Sequence, residues 1–421
     1  MSEEKTMKFP RIGLGVVSTC ALIAWAVAAQ AADTIKIAYI DPLSGFMAAT
    51  GEHGLKEFQY AAEQINARGG VLGKKFEIVA MDNKLSPQES LQLFQKVTDQ
   101  GIRYITQGNG SSVAGVLIDA LNKHNAREPD KSVLFLNYAA VDPDFTNAKC
   151  SFWHFRFDAN SDMKMEALTS YMAQDKNIRN VYIINQDYQF GHQVTRAAKE
   201  MLARRRPDVK IVGDELHPLA KVKDFAPYVS KIKASGADSV ITGNWGSDLQ
   251  LLVKAAKEAG LSVTFYTYYG GVIGTPTAMG DAGNEKVKYV AYYSPNSATG
   301  ATEKWINDFK KKNGTKVEPY TQSARTALEM LAIAMNQAKS DDPAKVGKAL
   351  EGMRYEGPFG EVVMRANDHQ LIQPLFIDTF TKAGSKGVKY DTEDTGFGWR
   401  NEMKIPGQQT ATPTSCQMQR P

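Results

Sequence analysis

Two hydrophobic periods trade places along this chain. Thr34-Ile35-Lys36-Ile37-Ala38-Tyr39-Ile40 reads as a strand and is closed by Asp41-Pro42-Leu43-Ser44-Gly45. From about Glu52 the period becomes helical, with Leu55, Phe58, Ala62 and Ile65 on one face, until Arg68-Gly69-Gly70 stops it. A second strand, Phe76 to Met81, ends in Asp82-Asn83. The helix after it opens on a capping box, with Ser86 as cap, Pro87 in the first turn and Glu89 reaching back. Leu91, Phe94 and Val97 form its core face, and Gly101 ends it. The strand Ile102 to Thr106, a helix carrying Val113, Val116, Leu117, Ala120 and Leu121, and the strand Val133 to Tyr138 complete a first set. The pattern then restarts. A helix from about Ser161 to Gln174 and the strand 180–185 lead through Gln186-Asp187-Tyr188-Gln189-Phe190-Gly191 into another helix. Strand 210–216, helix 225–235, strand 238–243, helix 248–259 and strand 263–268 follow, and a long helix at 321–339 buries Ala324, Leu328, Leu331 and Met335. Residues 361–380 read as a hairpin. Regular alternation of strand and helix predicts an α/β fold: two Rossmann-like lobes with parallel central sheets, covered by helices and joined by several crossings. The expected division is 1–31 as a leader, 32–156 with 291–367 as one lobe, 157–290 with 368–405 as the other, and 406–421 as a tail.

The stretch Gly108-Asn109-Gly110-Ser111-Ser112-Val113-Ala114-Gly115 is where strand gives way to helix. Free backbone N–H groups and two serine hydroxyls there meet the positive end of a helix, which makes a seat for an anion such as a carboxylate. A serine in this place also serves as an ordinary helix cap, and both roles stay open for Ser111. In parallel sheets ligands sit beyond the carboxyl ends of strands, where Ser44, Ser111 and Tyr138-Ala139-Ala140 all fall. The loops around that edge are aromatic: Tyr138, Trp153, Phe155, Phe157, Tyr188, Phe190, Trp245, Tyr268 and Tyr269. Part of this set is expected in the cores and part on the walls of a pocket for an apolar or aromatic ligand.

At 421 residues the chain has material for two packed cores, and its 43% hydrophobic and 23% charged residues are those of a globular protein. Lys8 and Arg11 precede an apolar run from Ile12 to Ala29, followed by the small-x-small site Ala29-Gln30-Ala31. This is a cleaved export signal rather than a membrane anchor, with Met7 as the natural start, and it places the protein in the periplasm. Cys20 has no lipobox around it. The formal net charge of +4, or +3 without the leader, argues against nucleic acid as a partner. Cys150 and Cys416 remain after cleavage, and in an oxidising compartment the pair is expected to be bridged, pinning the tail to the middle of the chain.

No catalytic constellation is visible. Gly108-x-Gly110 lacks the third glycine of a dinucleotide fingerprint, since Val113 stands there. Gly-Lys-Ser/Thr, Gly-x-Ser-x-Gly, His-Glu-x-x-His and Cys-x-x-Cys are absent. His53, His124, His154, His192, His217 and His369 are scattered without ligand spacing and are expected mostly to face solvent. The chain is therefore read as a binding protein, with no enzyme activity, cofactor or metal expected.

Several blocks in order resemble the periplasmic leucine/isoleucine/valine-binding family, the type I solute receptors of ABC importers. They are Ile35-Lys36-Ile37-Ala38 with Leu43-Ser44-Gly45, Ile65-Asn66-Ala67-Arg68-Gly69-Gly70-Val71-Leu72-Gly73, Gly101-Ile102-Arg103-Tyr104 with Ser111-Ser112, Asp187-Tyr188-Gln189-Phe190-Gly191, and Ala255-Ala256-Lys257-Glu258-Ala259-Gly260-Leu261. The resemblance implies a monomer that closes two lobes around its ligand like a Venus flytrap and delivers it to the membrane permease subunits. It implies that Ser111 and Ser112 hold a carboxylate, that Ala139, Ala140 and Val141 add main-chain groups, and that Tyr188, Phe190 and Trp245 form the second lobe's wall. Two positions depart from the family pattern: Thr50 replaces a tyrosine, and Tyr269 stands where amino-acid binders place the Glu that neutralises the ammonium. Either Asp187 or Asp41 takes over that role, or the ligand is an aromatic or other organic acid without an ammonium. A receptor of the same fold feeding a membrane signalling protein is the alternative function, and the neighbouring genes would tell the two apart.

Overall fold

The computed structural model describes Met7, residues 34–319 and residues 322–421. The expected leader lies, but for Met7, outside the described residues. In the first lobe β1 (Thr34–Asp41), α1 (Ala48–Ala67), β2 (Lys75–Asp82), α2 (Pro87–Asp99), β3 (Tyr104–Gln107), α3 (Ser111–Arg127), β4 (Leu134–Asn137) and β5 (His154–Arg156) build a five-stranded sheet in the order β2-β1-β3-β4-β5. All its pairings are parallel. The Asn-Ala-Arg-Gly-Gly block has a local cause. Asn66 exchanges two hydrogen bonds with the Phe76 backbone, at 2.9 and 2.8 Å, which ties the end of α1 to β2 while Gly69 and Gly70 reverse the chain at positive φ. Half of the expected capping box forms. Ser86 accepts from the Glu89 N–H, but its own N–H goes to the Asn83 carbonyl, so Glu89 has no donor to reach back for.

The second lobe runs through α4 (Ser161–Met172), β6 (Asn180–Gln186), α5 (Gln189–Arg205), β7 (Lys210–His217), α6 (Ala226–Ala234), β8 (Ser239–Thr242), α7 (Gly246–Glu258), β9 (Thr264–Thr267), α8 (Thr275–Met279) and β10 (Val287–Ala291). The chain next forms α9 (Gly300–Lys312), α10 (Gln322–Ala338) and α11 (Pro343–Leu350). Ala324, Leu328, Leu331 and Met335 of α10 are fully buried, as their spacing predicts. A small antiparallel sheet follows, of β11 (Arg354–Gly357), β12 (Gly360–Met364) and β13 (Leu371–Ile372). Last come β14 (Leu375–Lys382), β15 (Phe397–Ile405) and the short α12 (Gly407–Thr410). The second sheet is β15-β14-β10-β9-β8-β6-β7, parallel except for β14 and β15. It takes in residues well beyond the βα alternation of the second lobe.

The crossings between the lobes are bonded to one another. The Arg156 N–H donates to the His369 carbonyl at 2.9 Å, Gln370 Nε2 to the Asp158 carbonyl at 2.8 Å and Gln373 Nε2 to the Phe157 carbonyl at 2.9 Å. A disulfide joins Cys150 to Cys416 and holds the tail on the first lobe.

Most histidines are buried, contrary to the expectation from their scatter. His53, His154, His217 and His369 are at most 5% exposed. Each places Nε2 against a polar partner: the Glu318 carbonyl, Asn137, Asn244 and Glu351 respectively. An imidazole with a polar partner on Nε2 is tolerated in a core, and no polar periodicity announces it.

Candidate functional site

A cavity of about 370 Å³ lies between the lobes at the carboxyl ends of their strands. The first lobe supplies Thr50 from α1, the turn Gly108 to Ser111 after β3, and Ala139, Ala140 and Val141 after β4. The second lobe supplies Tyr188 and Phe190 at the start of α5, Trp245 just before α7, and Tyr269 and Val272 after β9. Nine of the ten expected binding residues are thus brought together. Ser112 is not on the wall; it sits half-buried in the first turn of α3, one residue past the cavity.

The cap of α3 is Gly110, not Ser111. Its φ of 93° is open to glycine and strained for other residues. Ser111 is the first residue of the helix and lies on the cavity wall, 2% exposed. The N–H groups of Val113 and Ala114 turn back to the Gly110 carbonyl, so those of Ser111 and Ser112 are the ones a helix start leaves without an intrahelical partner. Ala139 and Val141 contribute less polar backbone than expected. The Ala139 and Ala140 N–H groups both go to Asn137 Oδ1, and the Val141 carbonyl accepts from Ser161.

Opposite this seat the wall is aromatic and internally braced. Trp245 Nε1 donates to the Tyr188 hydroxyl at 2.9 Å, and the Phe190 ring lies 5.9 Å from those of both Tyr188 and Tyr269. Behind Tyr269, Lys164 Nζ stands 4.8 Å from the ring centroid and is paired with Asp158 at 2.7 Å, both fully buried. Across the mouth, Ser247 Oγ donates to the Phe46 carbonyl at 2.8 Å, and Met47 beside it is buried.

Neither carboxylate expected to stand in for the missing Glu is on the wall. Asp187 is 56% exposed and pairs with His192. Asp41 is fully buried beneath the seat. It accepts from the Asn109 N–H at 2.9 Å, the Gly108 N–H at 3.2 Å and the Tyr138 hydroxyl at 2.7 Å, so it rivets the turn from below. Burial pushes the Asp41 carboxyl up to about 7 against the pull of these bonds. The Tyr138 hydroxyl also meets that of Tyr39 at 2.9 Å, and Tyr39 donates to the Gly51 carbonyl at 2.7 Å.

A second chamber of about 310 Å³ adjoins the first and shares Thr50, Asn109, Ala139 and Val272 with it. His53, Glu57 and Tyr138 are among its remaining walls. The sequence carried a signal for it that went unread: a His and a Glu one turn apart on the face of α1 that also holds Phe58. Among the described residues no group of three or more His, Cys, Asp or Glu could hold a metal ion, and no helix is long and apolar enough to cross a membrane.

A family model described as periplasmic binding protein matches residues 34–385. The chain is 32% identical over 417 residues to the Leu/Ile/Val-binding protein homolog 4 of Brucella abortus (strain 2308), covering 96% of this chain and 97% of that one. It superposes on the closed conformation of the leucine-, isoleucine-, valine-, threonine-, and alanine-binding protein from Brucella ovis with a TM-score of 0.81 and 30% identity, over 93% of this chain and all of the other. A solute binding protein of an ABC transporter from Rhodopseudomonas palustris HaA2, solved in complex with p-hydroxybenzoic acid, superposes with a TM-score of 0.75 over 89% of this chain and 98% of that one, at 22% identity.

Proposed function

The chain belongs to the periplasmic binding protein family, whose members bind solutes for ABC transporters, and on that premise we propose that it captures an organic carboxylate with an apolar, aromatic body and hands it to membrane permease subunits. It acts in the periplasm after its leader is removed near Ala31, and as a monomer. One observation carries the ligand class. The cavity has a helix start with Ser111 on one side and an aromatic wall on the other, and no Asp, Glu, Lys or Arg among its described lining residues. An α-amino acid carries its ammonium on the carbon next to its carboxylate, so both charges must occupy this one chamber. A carboxylate is served there by N–H donors, a hydroxyl and the positive helix end, each favourable to an anion. The ammonium would be left without an anionic partner away from water, which is costly. Solved relatives whose ligands are p-hydroxybenzoic acid and benzoate support the same reading.

In the mechanism, the first lobe takes the carboxylate on Ser111 while the cleft is open. Closure brings Tyr188, Phe190, Trp245 and Tyr269 over the ligand's faces, excludes water and forms the Ser247–Phe46 bond across the mouth. The hinge segments bonded at Arg156, Asp158 and Phe157 keep the closed geometry reproducible.

Calorimetric titration of residues 32–421 with benzoates and with the proteinogenic amino acids tests the assignment. Benzoates are expected to bind and amino acids to fail. Ser111→Ala, with its thermal unfolding unchanged, is expected to weaken the acid by about 10- to 150-fold, the worth of one hydrogen bond to a charged group. Tight binding of an amino acid would overturn the ligand class, and an unaffected Ser111→Ala would remove Ser111 from the seat.

A further inference from the structure

We propose that Lys164, buried behind the aromatic wall, is a positioning residue: it holds the cavity-lining Tyr269 ring in place and fastens it to the crossings between the lobes, so that a ligand enclosed against that ring leaves slowly. This rests on the enclosed site described above and adds the group that keeps its aromatic side shut.

Lys164 lies in the first turn of α4, and its side chain is 1% exposed. No other lysine among the described residues is buried. A lysine is kept out of water only where its charge is matched, and Nζ is paired at 2.7 Å with Asp158, whose side chain is fully shielded. The same Nζ stands 4.8 Å from the centroid of the Tyr269 ring on the cavity wall and 5.2 Å from that of Tyr292. Both distances are those of a cation held over an aromatic face, an attraction that grows when the cation is away from water. The partners come from different crossings. Asp158 belongs to the first, between β5 and α4, and its carbonyl takes the Gln370 side chain from the third. Tyr292 follows β10 of the second sheet and precedes α9, whose Trp305 packs on Tyr60 of α1 in the first lobe at 5.0 Å, so it stands on the second. One ammonium thus joins a wall residue to two crossings directly and to the third through Asp158. Stability alone does not explain such a pair, because apolar side chains of equal volume hold a core as well or better. What the pair adds is a fixed arrangement. If Lys164 follows a displaced Tyr269, it leaves Asp158 uncompensated away from water, which is costly. The ring therefore resists the movement by which a bound ligand would escape past it.

Lys164→Met together with Asp158→Asn removes the pair without orphaning either charge, and thermal unfolding checks that the fold is kept. Stopped-flow fluorescence on the full processed chain uses whichever of benzoate and leucine the wild type binds. The double variant is expected to release that ligand about 5- to 30-fold faster, the worth of a desolvated cation over a ring, with association within about twofold because the first lobe's seat is untouched. In a Tyr269→Ala background the same two changes should alter release by less than about twofold, since no ring is left to hold. A merely structural pair would speed release equally in both backgrounds. An unchanged release rate in the first comparison, or an equal increase in both, would overturn the proposal. Nuclear magnetic resonance of the wild-type chain, isotope-labelled on its lysine nitrogens, needs no variant. The ammonium of this buried lysine is expected to shift when the ligand is added, and an unmoved signal would overturn the assignment. Binding of leucine instead of benzoate overturns the ligand class and leaves this test of Lys164 standing.

Discussion

The Cys150–Cys416 bridge offers a prediction whose size follows from its place in the chain. The two cysteines are 266 residues apart, so the bond closes a loop covering most of the processed protein. In the chain-entropy description a loop of that length removes about 5.5 kcal/mol of freedom from the unfolded ensemble. The folded tail does not depend on the bond for its position. Thr414 donates to the Thr146 carbonyl at 2.7 Å, the Ser415 N–H to Asn147 at 2.9 Å, and Arg420 to Glu351 at 2.7 Å and to the Ala366 carbonyl at 2.8 Å. Replacing both cysteines by serine should therefore leave the native tail docked and act on the unfolded state, with an expected loss of about 3 to 5 kcal/mol. Urea unfolding followed by tryptophan fluorescence measures it, and the same experiment tests the mechanism. A chain freed of its cross-link exposes more surface when unfolded, so the denaturant slope should rise along with the fall in midpoint. A loss below about 1 kcal/mol with an unchanged slope would refute the reasoning, because the bond would then not be constraining the unfolded chain.

Two further outcomes concern the rivet beneath the seat. Gly108→Ala would put a Cβ 2.7 Å from two ring atoms of Tyr138 and 2.9 Å from the Ala139 Cβ, where Tyr138 is held by Asp41, Asn109 and Tyr39 and cannot yield; chemical denaturation should show a loss of about 2 to 3 kcal/mol, and ligand affinity should fall with it. Asp41 titrates near 7 when folded against an ordinary 3.8, so the folded state binds its proton more tightly than the unfolded state does. Its contribution is fully present below pH 4 and is lost as the pH rises from about 4 to 7. The stability difference between the wild type and Asp41→Asn, measured at pH 4, 5.5 and 7.5, should therefore shift in favour of the variant by up to the order of 4 kcal/mol. A difference independent of pH would mean that burial does not raise the Asp41 carboxyl.

What could be read from the sequence divides along one physical line. Features set by neighbours in the chain were legible. The switch between periods located the parallel strands β1 to β4 and β6 to β9, though not β5 or β10, and Asn66 with Gly69 and Gly70 marked a turn whose bonds reach only to Phe76. The proposed carboxylate seat belongs to this class, since a helix start brings its own unpaired N–H groups. Ser111 was found on the wall for that reason, although the cap role weighed for it belongs to Gly110. Apart from the Cys150–Cys416 bridge, which the cysteine count predicts, features assembled from distant segments were not legible. Strand β15 was missed because Arg400, Asn401, Glu402 and Lys404 give it the composition of a loop, and only pairing with β14 along the sheet edge makes it a strand.

The same division explains why neither acidic residue expected from the sequence lies on the cavity wall. The position of Tyr269 pointed to a missing anion, and two acidic residues near the strand ends were offered as replacements. Asp41 was taken from the right neighbourhood, but its oxygens face the backbone of the turn, a geometry set by the approach of β3 and β4 rather than by the residues flanking it. Asp187 lies within three residues of two wall aromatics, Tyr188 and Phe190, and still points to solvent.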